Sequence, residues 1–166
     1  EKKVARLMHL HGIKAFTKAR FRTRLKKLDC HIASNLFGGD FSCFKPNEKW
    51  ATDISYIRTK DGWTYLAVII DLFSKKVVGM AYDKHMRTEL VLKALNSAIS
   101  TRGVAAGLIL HSDQGSQYTS IEFQKYLKLY GIRCSMSSKG RCYDNAPVES
   151  FFGTLKTELD WNGRFE

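Results

Sequence analysis

The sequence predicts an α/β fold: a mixed five-stranded sheet flanked by helices, preceded by a basic N-terminal arm. Three observations lead there. Three strand-like runs follow one another between Trp50 and Tyr82 with only short turns between them. Downstream, segments of helical and strand character alternate as helix, strand, helix, strand, helix. The charge is lopsided: residues 1–28 hold ten Lys and Arg against Glu1 alone, which is +9 of the chain's +11.

From the N-terminus, Lys3–Leu10 can form a short helix with Val4, Leu7 and Met8 on one face, stopped by Gly12. Between Ala15 and Lys27, basic residues mix irregularly with Phe16, Phe21 and Leu25, a pattern that does not pack by itself. Gly38, Gly39 and Pro46 mark a loop, and the domain boundary is expected near Pro46. Residues 1–45 then form arm and linker, and 46–166 the core.

The three strands are Trp50–Thr59, Trp63–Asp71 and Lys76–Tyr82, separated by Asp61-Gly62 and Ser74-Lys75, an antiparallel meander. Tyr65 to Ile70 is apolar without alternation, as in a strand covered on both faces. Within Thr88–Arg102, Val91, Ala94, Leu95, Ala98 and Ile99 keep the spacing of a helix packed on a sheet. A buried strand follows at Gly107–His111. Thr119-Ser120-Ile121-Glu122 then fits a capping box for a helix running to Tyr130 and closed by Gly131. A fifth strand is expected at Ile132–Met136 and a mobile loop at Ser137–Asn145. The last helix starts near Pro147, with Val148, Phe151, Phe152, Leu155 and Leu159 facing inward. Glu149, Gly153, Lys156 and Asp160 lie on an adjoining face.

Hydrophobic content of 44% and charged content of 26% fit an ordinary globular domain. No apolar run nears the roughly 20 residues of a membrane span. Cys30, Cys43, Cys134 and Cys142 form no C-x-x-C pair and have no matching His pair, so they read as free thiols rather than zinc ligands. The charged N-terminus has no secretory apolar stretch, which points to the cytoplasm. The basic arm makes a polyanion the expected partner, DNA or RNA ahead of an anionic membrane surface.

Phosphoryl transfer on a polynucleotide needs carboxylates converging from different elements, because two hard cations about 3.5–4 Å apart must flank the scissile phosphate. Asp53 lies mid-strand, Asp113 follows the fourth strand and Glu149 opens the last helix, so the three can meet at one sheet edge. Asp61, Asp71 and Asp83 occupy strand ends or turns, where aspartate serves local hydrogen bonding. His111, two residues before Asp113, either positions that carboxylate or is a packed strand-end histidine. Trp50 and Trp63 read as packed core or hairpin aromatics. Gln114, Tyr118, Arg141, Tyr143 and Asn145 flank the carboxylates with groups suited to phosphate or base contact.

Three segments carry a family resemblance: Trp50-Ala51-Thr52-Asp53-Ile54, His111 to Tyr118, and Asp144 to Phe152. They resemble the OrfB-type DDE transposases of bacterial insertion sequences, within the retroviral integrase superfamily. Thirty-five residues separate Asp113 from Glu149, and Lys156 follows Glu149 by seven, both as in that family. The resemblance covers about residues 46–160. It implies a ribonuclease H-like integrase core with Asp53, Asp113 and Glu149 holding two Mg2+ or Mn2+ ions. Metal-activated water would cut a strand at an element end, and the freed 3′-hydroxyl would attack a second phosphodiester. Lys156 would contact DNA near the cut.

The same resemblance implies a multimer acting on terminal repeats and target DNA at the nucleoid, with end recognition shared with a separate helix-turn-helix protein of the element. Residues 1–45 would then include the remnant of a helix-turn-helix. Family members continue past the Glu149 helix, which implies a core truncated at its C-terminus, and a start without Met fits a fragment. The alternative function is an inactive truncated transposase that only binds DNA. A ribonuclease H or junction nuclease is disfavoured by the motifs at Asp113 and Glu149. A glycosidase would have no use for the basic arm.

Overall fold

The computed structural model describes residues 2–12, 32–60, 62–138 and 145–158. In chain order they form α1 (Lys2–Leu10), β1 (Lys49–Thr59), β2 (Gly62–Asp71), β3 (Val77–Asp83), α2 (Thr88–Arg102), β4 (Ile109–Ser112), α3 (Ile121–Leu129), β5 (Arg133–Met136) and α4 (Ala146–Glu158). The five strands make one sheet in the order β3-β2-β1-β4-β5. β1, β2 and β3 are the expected antiparallel meander, while β4 and β5 run parallel to β1. The mixed five-stranded sheet read from the sequence is the sheet observed.

Two apolar layers sandwich it. On one face Trp50, Ala67 and Ile69 pack with Leu90, Val91, Ala94, Leu95 and Ala98 of α2 and with Phe123 and Leu127 of α3. On the other, Ala51, Val68, Ile70 and Leu72 pack with Phe37 and with Val148 and Phe152 of α4. Residues of β2 contribute alternately to both layers, which is why its run from Ala67 to Ile70 is buried without a break. Gly79 in β3 lets α2 lie close: a β-carbon there would stand 2.4 Å from the Ala94 carbonyl oxygen.

Several boundaries differ from expectation for local reasons. Ser120, not Thr119, caps α3: its Oγ accepts from Phe123 N–H at 3.2 Å, while the Thr119 hydroxyl turns back to the Gly115 carbonyl. The helix ends as expected at Gly131, with φ +67, where Ile132 N–H reaches Leu127 O and Gly131 N–H reaches Lys128 O. That double closure delays β5 to Arg133. β4 begins at Ile109 because Gly107, with φ +82, and Leu108 belong to a turn closed by Leu108 N–H on Ala105 O.

α1 forms where expected and stops at Gly12, with φ +63, yet Val4 and Leu7 stay exposed. The loop before β1 is packed. Phe37 is buried, Leu36 N–H donates to Ser135 Oγ, and Ser34 O accepts from Met136 N–H. Cys43 and Cys134 are free thiols. Cys30, Cys142, Leu159, Asp160, the run 15–27 and residues 139–144 of the expected loop lie outside the described residues. No helix among the described residues is long and apolar enough to cross a membrane.

Candidate active site

The parallel pairing of β1 with β4 sets the site. Trp50 lies opposite Leu110 and Ala51 opposite His111. β1 continues to Asp53 two residues past Ala51, and Asp113 follows His111 by two. β4 ends at Ser112, so Asp113 sits just past the strand end, at the head of a turn. Its Oδ1 accepts the Gly115 N–H at 2.8 Å. A β-carbon at Gly115 would come within 2.9 Å of that same oxygen, so a side chain there would shift the Asp113 carboxylate.

Glu149 comes from the opposite direction. In the first turn of α4, Val148 is buried against the sheet and Glu149 is exposed beside it. Asn145, just before the helix, donates from Nδ2 to the carbonyl of Thr52 at 3.3 Å, which fastens the start of α4 to β1 one residue before Asp53. A carboxylate in the first turn also complements the helix dipole.

Asp53 senses the charges of the other two acids. Burial, first, pushes the Asp53 carboxyl from its ordinary 3.8 up to about 6, and the charges of Asp113 and Glu149 push the same way. The Ile54 N–H, donating to Asp53 Oδ1 at 2.8 Å, and the Lys156 ammonium act against the rise. Such a site is short of positive charge, and its donors are hard oxygens suited to a divalent cation. Among the described residues no three His, Cys, Asp or Glu side chains gather tightly enough to cage an ion alone.

The flanking residues divide. Tyr118, read as a DNA contact, is instead core: 1% exposed, with its hydroxyl 3.2 Å from Thr52 Oγ1. Burial above all keeps its phenol far above the usual range, and the nearby Asp53 and Asp113 charges add to this. It stays neutral beneath the carboxylates. Asn145 is likewise buried and engaged with Thr52, so it is a tether rather than a surface contact. Gln114 is half-buried and donates to Ser137 O at 3.0 Å. Arg141 and Tyr143 lie outside the described residues, as does Asp61.

Lys156 lies two turns along α4 from Glu149, its Nζ 5.0 Å from the Tyr56 ring centroid. His111 is the packed histidine: fully buried, stacked on Phe37 at 4.4 Å, its ring nitrogens 2.8 and 3.0 Å from Ser135 and Ser137 Oγ. Asp71 holds a turn by accepting from Asn47 and Ser74, and Asp83 pairs with Lys93 at 2.9 Å. Trp50 is core, but Trp63 is 52% exposed beside Tyr56 and Arg58. The sequence reading passed over Thr52, Tyr56 and Arg58. The one local signal for the last two was a Tyr and an Arg two residues apart on a strand.

Comparison with known proteins bears on the family and the fold. Residues 44–142 match the integrase core domain, a segment that contains Asp53 and Asp113 and ends before Glu149. The chain is 42% identical over 158 residues to the transposase InsF for insertion sequence IS3A of Escherichia coli (strain K12), covering 95% of this chain and 55% of that protein. The chain therefore spans about half the length of that curated relative. Among solved structures, a simian T-cell lymphotropic virus intasome in complex with PP2A regulatory subunit B56 gamma superposes with a TM-score of 0.64 at 28% identity, covering 78% of this chain and 43% of that one. The HTLV-2 integrase catalytic core domain in complex with magnesium (dimeric form) gives 0.58 at 27%, covering 69% and 71%. With over half its length matched, and with this sheet, the chain belongs to the integrase core domain family and has its ribonuclease H-like fold.

Proposed function

We propose that the chain is the catalytic core of an insertion-sequence DNA transposase, a DDE-type polynucleotidyl transferase that cleaves and rejoins phosphodiesters at the element's ends. The observation that carries this reading is Asp53, whose carboxyl feels the charges of both Asp113 and Glu149. The transposase name of the curated relative and the magnesium in the HTLV-2 core's title support it.

In this reading Asp53, Asp113 and Glu149 together hold two Mg2+ or Mn2+ ions. When bound, the ions supply Lewis-acid stabilisation of the attacking and leaving oxygens. Asp53 must give up its proton before it can ligate, which it does above about pH 6. Asn145 and Tyr118 position the α4 start and the Asp113 turn against β1 through Thr52. Lys156, with Gln114, Arg141 and Tyr143, contacts DNA phosphates or bases near the cut.

Residues 46–166 supply the chemistry, with Ser34 to Phe37 packed onto them, and the basic residues among 1–28 attract DNA without reading its sequence. The partners are terminal repeats and target DNA, bound by a multimer in the cytoplasm at the nucleoid. A helix-turn-helix protein of the same element shares end recognition.

The test is a labelled duplex ending in the element's terminal repeat, incubated with the chain and Mg2+ or Mn2+, beside Asp53→Asn. Cutting or joining by the parent alone supports the reading. Salt-sensitive binding without cutting by either would favour a DNA-binding protein without chemistry, and equal cutting by both would remove Asp53 from the site.

A further inference from the structure

We propose that the β1–β2 hairpin carries a stacking surface for unpaired nucleotides, formed by Tyr56, Arg58 and Trp63 and bordered by Lys156. The inference rests on the reading of the chain as a DNA-acting protein and adds a binding site to it.

Strand register builds the surface. Arg58 pairs directly with Trp63, and Tyr56 stands two residues before Arg58, so the three project from one side of the hairpin. The Tyr56 and Trp63 rings meet edge to face, 5.3 Å between centroids at 80°. They remain 56% and 52% exposed, whereas Trp50 on the same strand is fully buried. Packing among the described residues therefore does not account for two large rings side by side in solvent.

The cations give the surface its ligand class. The Arg58 guanidinium lies 6.0 Å from the Trp63 ring centroid and the Lys156 ammonium 5.0 Å from that of Tyr56. Rings interleaved with cations match a strand whose bases stack while its phosphates meet positive charge. A paired duplex hides its base faces in its own stack, so the rings address nucleotides that are unpaired. Lys156 ties the surface to the carboxylates, since its charge is also felt at Asp53. The unpaired nucleotides are thus those beside a processed or frayed DNA end.

The experiment uses the whole chain and two labelled probes: a blunt duplex, and the same duplex extended by a short single-stranded overhang. Anisotropy should show tighter binding of the overhang by the parent. Trp63→Ala should weaken overhang binding by about 5- to 100-fold while leaving blunt-duplex affinity unchanged, and Trp63→Phe should keep most of the preference. Unchanged blunt-duplex binding also reports that the variant is folded. An equal preference for the overhang in parent and Trp63→Ala, or no preference in the parent, would overturn the stacking surface and leave the DNA-acting reading standing. Binding of neither probe by the parent would overturn both.

Discussion

Asn145 Nδ2 lies 3.3 Å from the carbonyl oxygen of Thr52, a contact across 93 residues that fixes the start of the Glu149 helix to the strand bearing Asp53. Among the described residues the same side chain leaves its Oδ1 buried without a hydrogen-bond partner. Removing it therefore loses one bond and relieves one orphaned acceptor, two effects of similar size and opposite sign.

Asn145→Ala should consequently change stability by less than about 1 kcal/mol in urea unfolding. Cleavage should fall at least tenfold as Glu149 loses its anchor, with DNA affinity retained. A variant that cuts as fast as the parent would show that the tether does not position Glu149.

Asp53→Asn should stabilise the metal-free protein at neutral pH. The folded carboxyl sits at about 6 against an ordinary 3.8, so the folded state holds the proton more tightly than the unfolded chain. Stability then declines as pH rises from 3.8 to 6, and the full penalty persists above that. The asparagine removes it, a gain of about 1–3 kcal/mol at pH 8 that disappears below pH 4. Denaturant melts at the two pH values check the sign, and a loss of stability at pH 8 would refute it.

Metal should offset the same repulsion. Saturating Mn2+ should raise the parent's melting temperature at pH 7.5 and do much less at pH 5, where protons compete for Asp53. The rise should vanish in Asp113→Asn. An equal rise at both pH values would place the bound metal elsewhere.

Two glycines should respond in opposite directions. Gly79→Ala drives a methyl into the Ala94 carbonyl and Ala98 of α2 and should cost about 1–3 kcal/mol. Gly153→Ala in α4 meets nothing within 4 Å and should gain about 0.5–1 kcal/mol. Thermal melts of both variants test the packing of the two helices.

The strands and α2 were legible because burial writes itself into local patterns: the unbroken run Ala67 to Ile70, and the apolar stripe Val91 to Ile99. The carboxylates were legible as motifs in order. The parallel register of β1, which carries Asp53, with β4, which leads into Asp113, is stated by no local pattern. Tyr118 and Asn145 were misread for a related reason. Their polar groups suit DNA, but both side chains are buried, the Tyr118 hydroxyl and the Asn145 Nδ2 being held by Thr52, 66 and 93 residues away. The cap at Ser120 was missed by one residue because Thr119 also fits the box pattern, and only the Gly115 turn decides between them. Trp63 was taken as packed because strand aromatics usually are, and its exposure follows from its place at the tip of a hairpin.

If Asp53, Asp113 and Glu149 form one electrostatic site, a carbon-detected NMR titration of the Asp53 carboxyl in the metal-free chain will report it. The midpoint is expected near 6, lowered in Asp113→Asn and again in Glu149→Gln, and still above 3.8 in both because burial is the larger cause. An Asp53 that titrates at 3.8, or one unmoved by either substitution, would contradict it.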